Sequence, residues 1–120
     1  MSKILIVEDE VLILDTTKEL LELVGHQVFA VTTGSGMLSI LEDQNGGIDL
    51  VLLDLTLPDM NGMDLLPKLT ADYPSLKVIV CSGALPDELE FEDQPIIKAV
   101  LNKPFELREL RESIDRALRD

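Results

Sequence analysis

The sequence predicts an α/β domain in which five strands alternate with five helices. Short, continuous apolar runs such as Leu50 to Leu53 are closed by polar or turn-forming residues, which is typical of strands buried on both faces of a parallel sheet. Segments with apolar residues at helical spacing lie between these runs. The length of 120 residues is that of one ordinary domain. We therefore expect residues 1–120 to form a single domain.

The order of the strands follows from this alternation. A chain that passes repeatedly from strand to helix to strand builds a parallel sheet with helices on both faces. Five strands in this length fit the doubly wound, flavodoxin-like order 2-1-3-4-5, in which the first and third strands are neighbours. The predicted strands are Lys3–Val7, Gln27–Val31, Asp49–Leu53, Lys77–Cys81 and Ala99–Asn102.

The helices are predicted from amphipathic spacing and from stop signals. Gly25 closes the first helix, and Pro67 should bend the third helix or delay its start. The fourth helix should be short or irregular, because Pro86 and Pro95 bracket it. The other four are predicted at Val11–Val24, Ser35–Asp43, Met63–Asp72 and from Glu106 to the end.

Composition excludes several classes of partner. Ten basic residues stand against 23 acidic ones, and the net charge of −13 makes nucleic acid and anionic membranes poor ligands. No apolar run approaches the roughly 20 residues of a membrane span, and the first residues do not resemble a signal peptide. A single cysteine excludes an internal disulfide. We expect a cytoplasmic protein, or a domain of one, that suits a divalent cation or a basic protein face, and a homodimer stays open.

Chemically useful residues stand at the ends of four predicted strands. Glu8 and Asp9 follow the first strand, Asp54 the third, Ser82 the fourth and Lys103 the fifth. The carboxyl ends of parallel strands lie along one edge of the sheet, where open α/β sheets bind their ligands. We therefore expect these side chains to converge on one pocket.

The acidic members of this set predict a metal site. Carboxylates without histidine or cysteine prefer Mg²⁺, Mn²⁺ or Ca²⁺. We expect Mg²⁺, with Mn²⁺ as a substitute, bound directly by Asp9 and Asp54 and through water by Glu8. The backbone carbonyl of Thr56 is expected to complete the protein ligands, with Lys103 as the counter-ion.

The same residues suit phosphoryl transfer. Asp54 is a carboxylate nucleophile that can form an aspartyl-phosphate. Phosphoryl transfer requires in-line positioning and neutralisation of the equatorial oxygens. The metal, the Lys103 ammonium and the Ser82 hydroxyl are the groups expected to bind these oxygens.

With these residues in order, the whole chain resembles a response regulator receiver domain. The resemblance implies Mg²⁺-dependent transfer from a phosphohistidine of a sensor histidine kinase or phosphotransfer protein to Asp54. It also implies slow self-catalysed hydrolysis, without other enzymatic activity, and a switch of the face built by the fourth helix, fifth strand and fifth helix. The resemblance rests on Glu8-Asp9, Asp54 with Pro58 and Gly62, Ser82-Gly83 and Lys103-Pro104-Phe105.

The chain also departs from the receiver pattern. Receivers usually carry tyrosine or phenylalanine three residues before the lysine, as a rotating switch, and this chain has Val100. Ile96-Ile97 stand where a Gly-Ala pair usually closes the fourth helix. The run from Pro74 to Gly83, followed by a poorly helical segment, is similar to receivers attached to hybrid histidine kinases.

Three alternatives stay open at this point. A receiver-like interaction module would have lost phosphotransfer, although the acidic set is complete. An aspartyl-phosphate hydrolase of the haloacid dehalogenase type needs a second acid two residues after the nucleophile, and Thr56 stands there. A flavodoxin-like electron carrier needs aromatic residues around its flavin, and the chain has no tryptophan and a single tyrosine, Tyr73.

Overall fold

The computed structural model describes residues 2–83 and 95–119. Within these ranges the strands are β1 Lys3–Val7, β2 Gln27–Val31, β3 Leu50–Asp54, β4 Lys77–Ser82 and β5 Ile97–Asn102. All neighbours pair in parallel, in the order β2-β1-β3-β4-β5. This order confirms the predicted doubly wound sheet and places β1 beside β3.

The strand bounds match the prediction for β1 and β2 and differ slightly for the others. Asp54 is the last residue of β3 and pairs with Cys81, so the nucleophile candidate stands on the strand itself. β5 begins two residues earlier than predicted. Ile97 pairs with Val78, but the next pair is Ala99 with Ile79. β5 therefore has one extra residue at this point, which interrupts the alternation that marks a strand in the sequence.

Four helices cover the sheet in the described ranges: α1 Val11–Leu23, α2 Gly34–Asp43, α3 Gly62–Asp72 and α4 Leu107–Arg119. The last of these is the helix predicted as the fifth. The predicted fourth helix, between Pro86 and Pro95, lies outside the described residues.

Pro67 does not delay the start of α3, which begins one residue before the predicted Met63. The helix begins at Gly62, well ahead of the proline, and the Asn61 side chain accepts the N–H of Met63 at 2.9 Å. A proline removes one intrahelical donor. The N-cap and the burial of Leu65, Leu66 and Leu69 hold the first turns in spite of it.

Alternating strand residues form two apolar layers. On one face Leu5, Val51 and Val78 pack with α2 and α3, and on the other Ile4, Leu50 and Ile79 pack with α1 and α4. Among the described residues, no helix combines the length and apolar character that crossing a membrane requires. Because both faces are covered, the polar chemistry is left to the edge where the strands end.

Candidate functional site

Three carboxylates converge where β1 and β3 end. Glu8 and Asp9 follow β1, and Asp54 closes β3 beside it. One oxygen from each of the three lies within 4.8 Å of the others. Glu8 and Asp54 are buried, whereas Asp9 is exposed. The predicted acidic pocket therefore exists, with two carboxylates inside it and one at its mouth.

The Lys103 ammonium lies inside this pocket. It donates to Asp54 Oδ2 at 3.0 Å and to Glu8 Oε1, and it lies 4.0 Å from Glu10 Oε1. The Lys103 backbone N–H donates to the carbonyl of Ser82 at 2.9 Å, which ties the end of β5 to the end of β4. The predicted counter-ion is thus in direct contact with the nucleophile candidate.

These contacts change the proton affinities of the pocket. Burial raises the pKa of the Glu8 carboxyl, and the hydrogen bond from Lys103 only partly offsets it. For Lys103 burial works against the charged ammonium, but hydrogen bonds to Glu8 and Asp54 outweigh it and raise the pKa. The lysine therefore keeps its positive charge at neutral pH.

Backbone donors orient the two buried carboxylates. Asp54 Oδ1 accepts the N–H of Thr56 at 3.0 Å, and Glu8 Oε2 accepts the N–H of Glu10 at 3.1 Å. The Glu8 backbone N–H donates to the carbonyl of Val31 at 3.1 Å. Each carboxylate thus accepts a hydrogen bond from a backbone N–H with one oxygen and from Lys103 with the other.

The donor set fits a hard divalent cation. Three carboxylates within 4.8 Å face one ammonium among the described residues, so the pocket carries an excess of negative charge. Mg²⁺ is usually held by one or two carboxylates and several waters. Exposed Asp9 leaves such an ion open to water, and buried Glu8 is already engaged by Lys103.

The loop between β3 and α3 is closed on itself beside the pocket. Thr56 and Asn61 form an isolated antiparallel bridge, and the Gly62 N–H donates to the Leu55 carbonyl at 2.8 Å. A Cβ at Gly62 would lie 2.8 Å from Leu55 Cα, so this close approach requires glycine. The loop therefore presents Thr56 next to Asp54 in a defined arrangement.

Ser82, Cys81 and Val100 have different surroundings. Ser82 closes β4 and is buried, at the edge where the pocket lies. Burial raises the pKa of the Cys81 thiol to about 12, so this group stays protonated and suits core packing. Val100 lies on β5 and is partly exposed.

A groove of about 500 Å³ opens beside Lys103. Leu12 and Leu107 flank it as exposed apolar side chains, and Leu12 is 83% exposed. Lys103 and Pro104 also line the groove, and the peptide bond between them is cis. The carboxylate pocket thus borders an open and largely apolar surface.

Sequence reasoning missed one residue next to this site. Asp59, in the loop after β3, accepts hydrogen bonds from Gly34 and Ser35 at the start of α2. An aspartate after a proline signals a turn. Nothing local to it indicates a contact with a helix that begins 25 residues earlier.

Comparison with known proteins finds related sequences in sensor kinases and transcriptional regulators. The sensor kinase CckA of Brucella abortus is 31% identical over 116 residues, which are 96% of this chain and 12% of that protein. Other matched relatives include transcriptional regulators, and the chain spans 12–55% of the length of the first relatives.

Solved structures agree with the fold. A CheY-like receiver domain protein from Methanospirillum hungatei is 35% identical, with a TM-score of 0.87 over 99% of this chain and 94% of that one. The response regulator TrrA of Thermotoga maritima, solved in complex with Mg²⁺–BeF, is 25% identical, with a TM-score of 0.83 over 98% and 100% of the two chains. The family model of the response regulator receiver domain matches residues 4–115. The chain belongs to the response regulator receiver domain family of two-component systems.

Proposed function

We propose that the chain accepts a phosphoryl group on Asp54 from a phosphohistidine in a Mg²⁺-dependent reaction. The observation that carries this proposal is the position of Asp54, with Oδ2 3.0 Å from the Lys103 ammonium and a carboxylate oxygen within 4.8 Å of those of Glu8 and Asp9. A carboxylate held between a lysine and a cation site suits transfer of a dianionic group.

The step exchanges one bond to phosphorus for another. An Asp54 oxygen forms the new O–P bond while the P–N bond of phosphohistidine breaks. The imidazole leaves with the electron pair of that bond, and a proton from the donor site or solvent completes the neutral ring. A bound Mg²⁺ supplies electrostatic stabilisation of the transferring oxygens.

The protein residues then have separate roles. Asp9, Asp54 and the Thr56 carbonyl would hold the ion, and Glu8 would assist through water and orient Lys103. Lys103 already donates to Asp54 Oδ2, so a short movement of its ammonium would bring it to a phosphoryl oxygen. The Ser82 hydroxyl is the donor for another oxygen. The Mg²⁺–BeF complex of the relative from Thermotoga maritima supports a Mg²⁺ site here.

Phosphorylation would act through the strand ends that carry these residues. The added charge and acceptor oxygens draw Ser82 and Lys103 towards Asp54. The two are joined by the backbone hydrogen bond of 2.9 Å, so β4 and β5 respond together. This shifts the balance between two conformations of the face formed by β5 and α4. Val100 gives this face no aromatic ring to rotate.

Transfer from a phosphorylated histidine kinase core to this chain tests the assignment. We expect a labelled product with wild type and with Asp64→Asn, and no product with Asp54→Asn. Asp64 is an exposed acid in the first turn of α3 and serves as the matched control. Label retained on Asp54→Asn at the wild-type rate would contradict the nucleophile assignment.

We also propose that a protein donor contacts the groove beside Lys103. A phosphohistidine must approach Asp54 closely, so its protein has to cover adjacent surface. Leu12 on α1 is 83% exposed in that groove and offers the apolar contact. The donor is a sensor histidine kinase or a phosphotransfer protein, and we place the reaction in the cytoplasm.

Leu12→Asp should slow transfer from the protein donor by roughly tenfold and leave phosphorylation by acetyl phosphate unchanged. A small donor does not need the groove, which is the reason for the difference. Leu23→Asp is the matched control, because Leu23 is 85% exposed at the far end of the same helix. Equal rates for the two variants with the protein donor would contradict this docking surface.

A further inference from the structure

Asp59 joins the loop after β3 to the first turn of α2. Its Oδ1 accepts the N–H of Gly34 at 2.8 Å, and its Oδ2 accepts the N–H and the hydroxyl of Ser35 at 3.0 and 2.9 Å. The N–H groups of Gly34 and then Ser35 lower the pKa of the Asp59 carboxyl. The carboxylate is therefore charged at neutral pH, and charge-assisted hydrogen bonds are the stronger kind.

The helix has a cap of its own besides this contact. Thr33 is the N-cap residue, and its hydroxyl oxygen accepts the N–H of Gly36 at 3.0 Å. Asp59 accepts hydrogen bonds from the two preceding N–H groups, those of Gly34 and Ser35, which otherwise would face solvent. An apolar contact accompanies it, because a Cβ at Gly34 would lie 2.3 Å from the sulfur of Met60. The loop is thus held to α2 by two kinds of contact.

The same loop carries a proposed metal ligand. Thr56 donates its N–H to Asp54 Oδ1 at 3.0 Å and pairs with Asn61 in the antiparallel bridge. Asp59 lies between the two bridged positions, at the tip of this closed loop. A shift of the tip therefore changes the backbone orientation at Thr56, where the carbonyl has to face the ion.

We infer that Asp59 is a positioning residue that sets the affinity of the pocket for Mg²⁺ by holding the loop from Leu55 to Asn61 against α2. It does not touch the ion and acts only through the Thr56 backbone. The inference rests on the proposed function, since it concerns the same cation site.

Magnesium affinity measured by isothermal titration calorimetry on the full chain tests this role. Asp59→Ala should raise the dissociation constant by about tenfold, the lower end for groups that orient metal ligands. Asp59→Asn keeps a carbonyl oxygen for one N–H and should show a smaller rise. Thr33→Ala is the control, because it weakens the same helix start and leaves the loop contacts intact. It should lower stability in urea without changing the dissociation constant.

Two outcomes would overturn the inference. One is wild-type affinity in both Asp59 variants while circular dichroism shows them folded. The other is an equal rise in Thr33→Ala, which would assign the effect to α2 and not to the loop. If Asp59→Ala does not fold, Asp59→Asn and Ser35→Ala carry the same comparison. If the wild-type chain binds no Mg²⁺, the proposed function is contradicted as well. A failure of the Asp59 inference alone leaves Mg²⁺ binding by the wild type intact, so the two failures can be told apart.

Discussion

Lys103 and the two buried carboxylates beside it stabilise one another through ion pairs. Its ammonium contacts Glu8 and Asp54, whose side chains are 5% and 6% exposed. Buried charges are tolerated when they are paired and hydrogen-bonded. The residue that offsets part of the negative charge of the metal-free pocket is thus the one proposed to bind the phosphoryl group, so one side chain serves both states.

Lys103→Met should destabilise the metal-free protein by about 3 kcal/mol, the lower end for a broken buried pair. The raised pKa of Glu8 allows that carboxyl to take up a proton, which limits the cost. Mg²⁺ should restore part of the loss, because the ion replaces the missing positive charge. Urea unfolding with and without Mg²⁺ measures both effects.

Lys68→Met is the matched control for this prediction. Lys68 forms an exposed pair with Asp72 at 3.0 Å on α3, far from the pocket residues in sequence. Such a pair contributes about 0–1 kcal/mol. Equal losses for the two variants, or a loss in Lys103→Met that Mg²⁺ leaves unchanged, would contradict the role of Lys103 as the pocket counter-ion.

At the scale of elements, the pocket depends on how β3 passes into α3. Gly62 is the first residue of α3 and also the donor that closes the loop onto Leu55. Its missing Cβ lets the two backbones approach, and Asn61 caps the helix directly before it. The Asn61-Gly62 pair, which in the sequence indicates only a turn, therefore fixes the distance between strand and helix.

Gly62→Ala should lower the free energy of unfolding by about 1–3 kcal/mol, because the new Cβ would meet Leu55 Cα at 2.8 Å and force the backbone to move. Gly83→Ala is the control, since a Cβ there would lie 3.9 Å from Lys103 Cβ, an ordinary contact. Urea unfolding followed by circular dichroism compares them. A Gly62 variant as stable as the Gly83 variant would contradict the close-approach argument.

At the scale of the whole molecule, the chain has many more acidic residues than the pocket uses. The net charge is −13, and most acids outside the pocket lie on exposed positions, as Glu19 and Glu22 do on α1. Like charges on a compact surface repel one another and oppose folding. The same field attracts Mg²⁺ and basic partner surfaces to the molecule.

Thermal stability should therefore rise with added salt. Raising NaCl from about 10 to 150 mM shortens the Debye length from about 30 to about 8 Å. We expect the midpoint of thermal unfolding to rise by about 2–4 °C, equivalent to roughly 0.5–1 kcal/mol. The double variant Glu19→Gln/Glu22→Gln should respond less. A midpoint that falls with salt would contradict the account of surface repulsion.

Much of this architecture could be predicted from the sequence because its signals are local. The alternation of apolar runs with helical segments predicted the strand order, and the polar residues at the strand ends predicted that Asp54, Glu8 and Lys103 meet. The inward position of Glu8 and the exposed one of Asp9 could not be assigned, since both are acids at a strand end where alternation stops. The contact of Asp59 with α2 escaped prediction because it joins segments distant in sequence.

The most direct test of the central claim is intact mass after incubation with acetyl phosphate, with and without Mg²⁺, on wild type and Asp54→Asn. The proposed chemistry predicts a gain of one phosphoryl group on wild type that requires Mg²⁺ and is absent from the variant. A folded wild type that binds Mg²⁺ and gains nothing from acetyl phosphate or a phosphorylated kinase core would contradict phosphotransfer and leave a receiver-shaped interaction module. A gain of equal size on Asp54→Asn would contradict the assignment of the nucleophile.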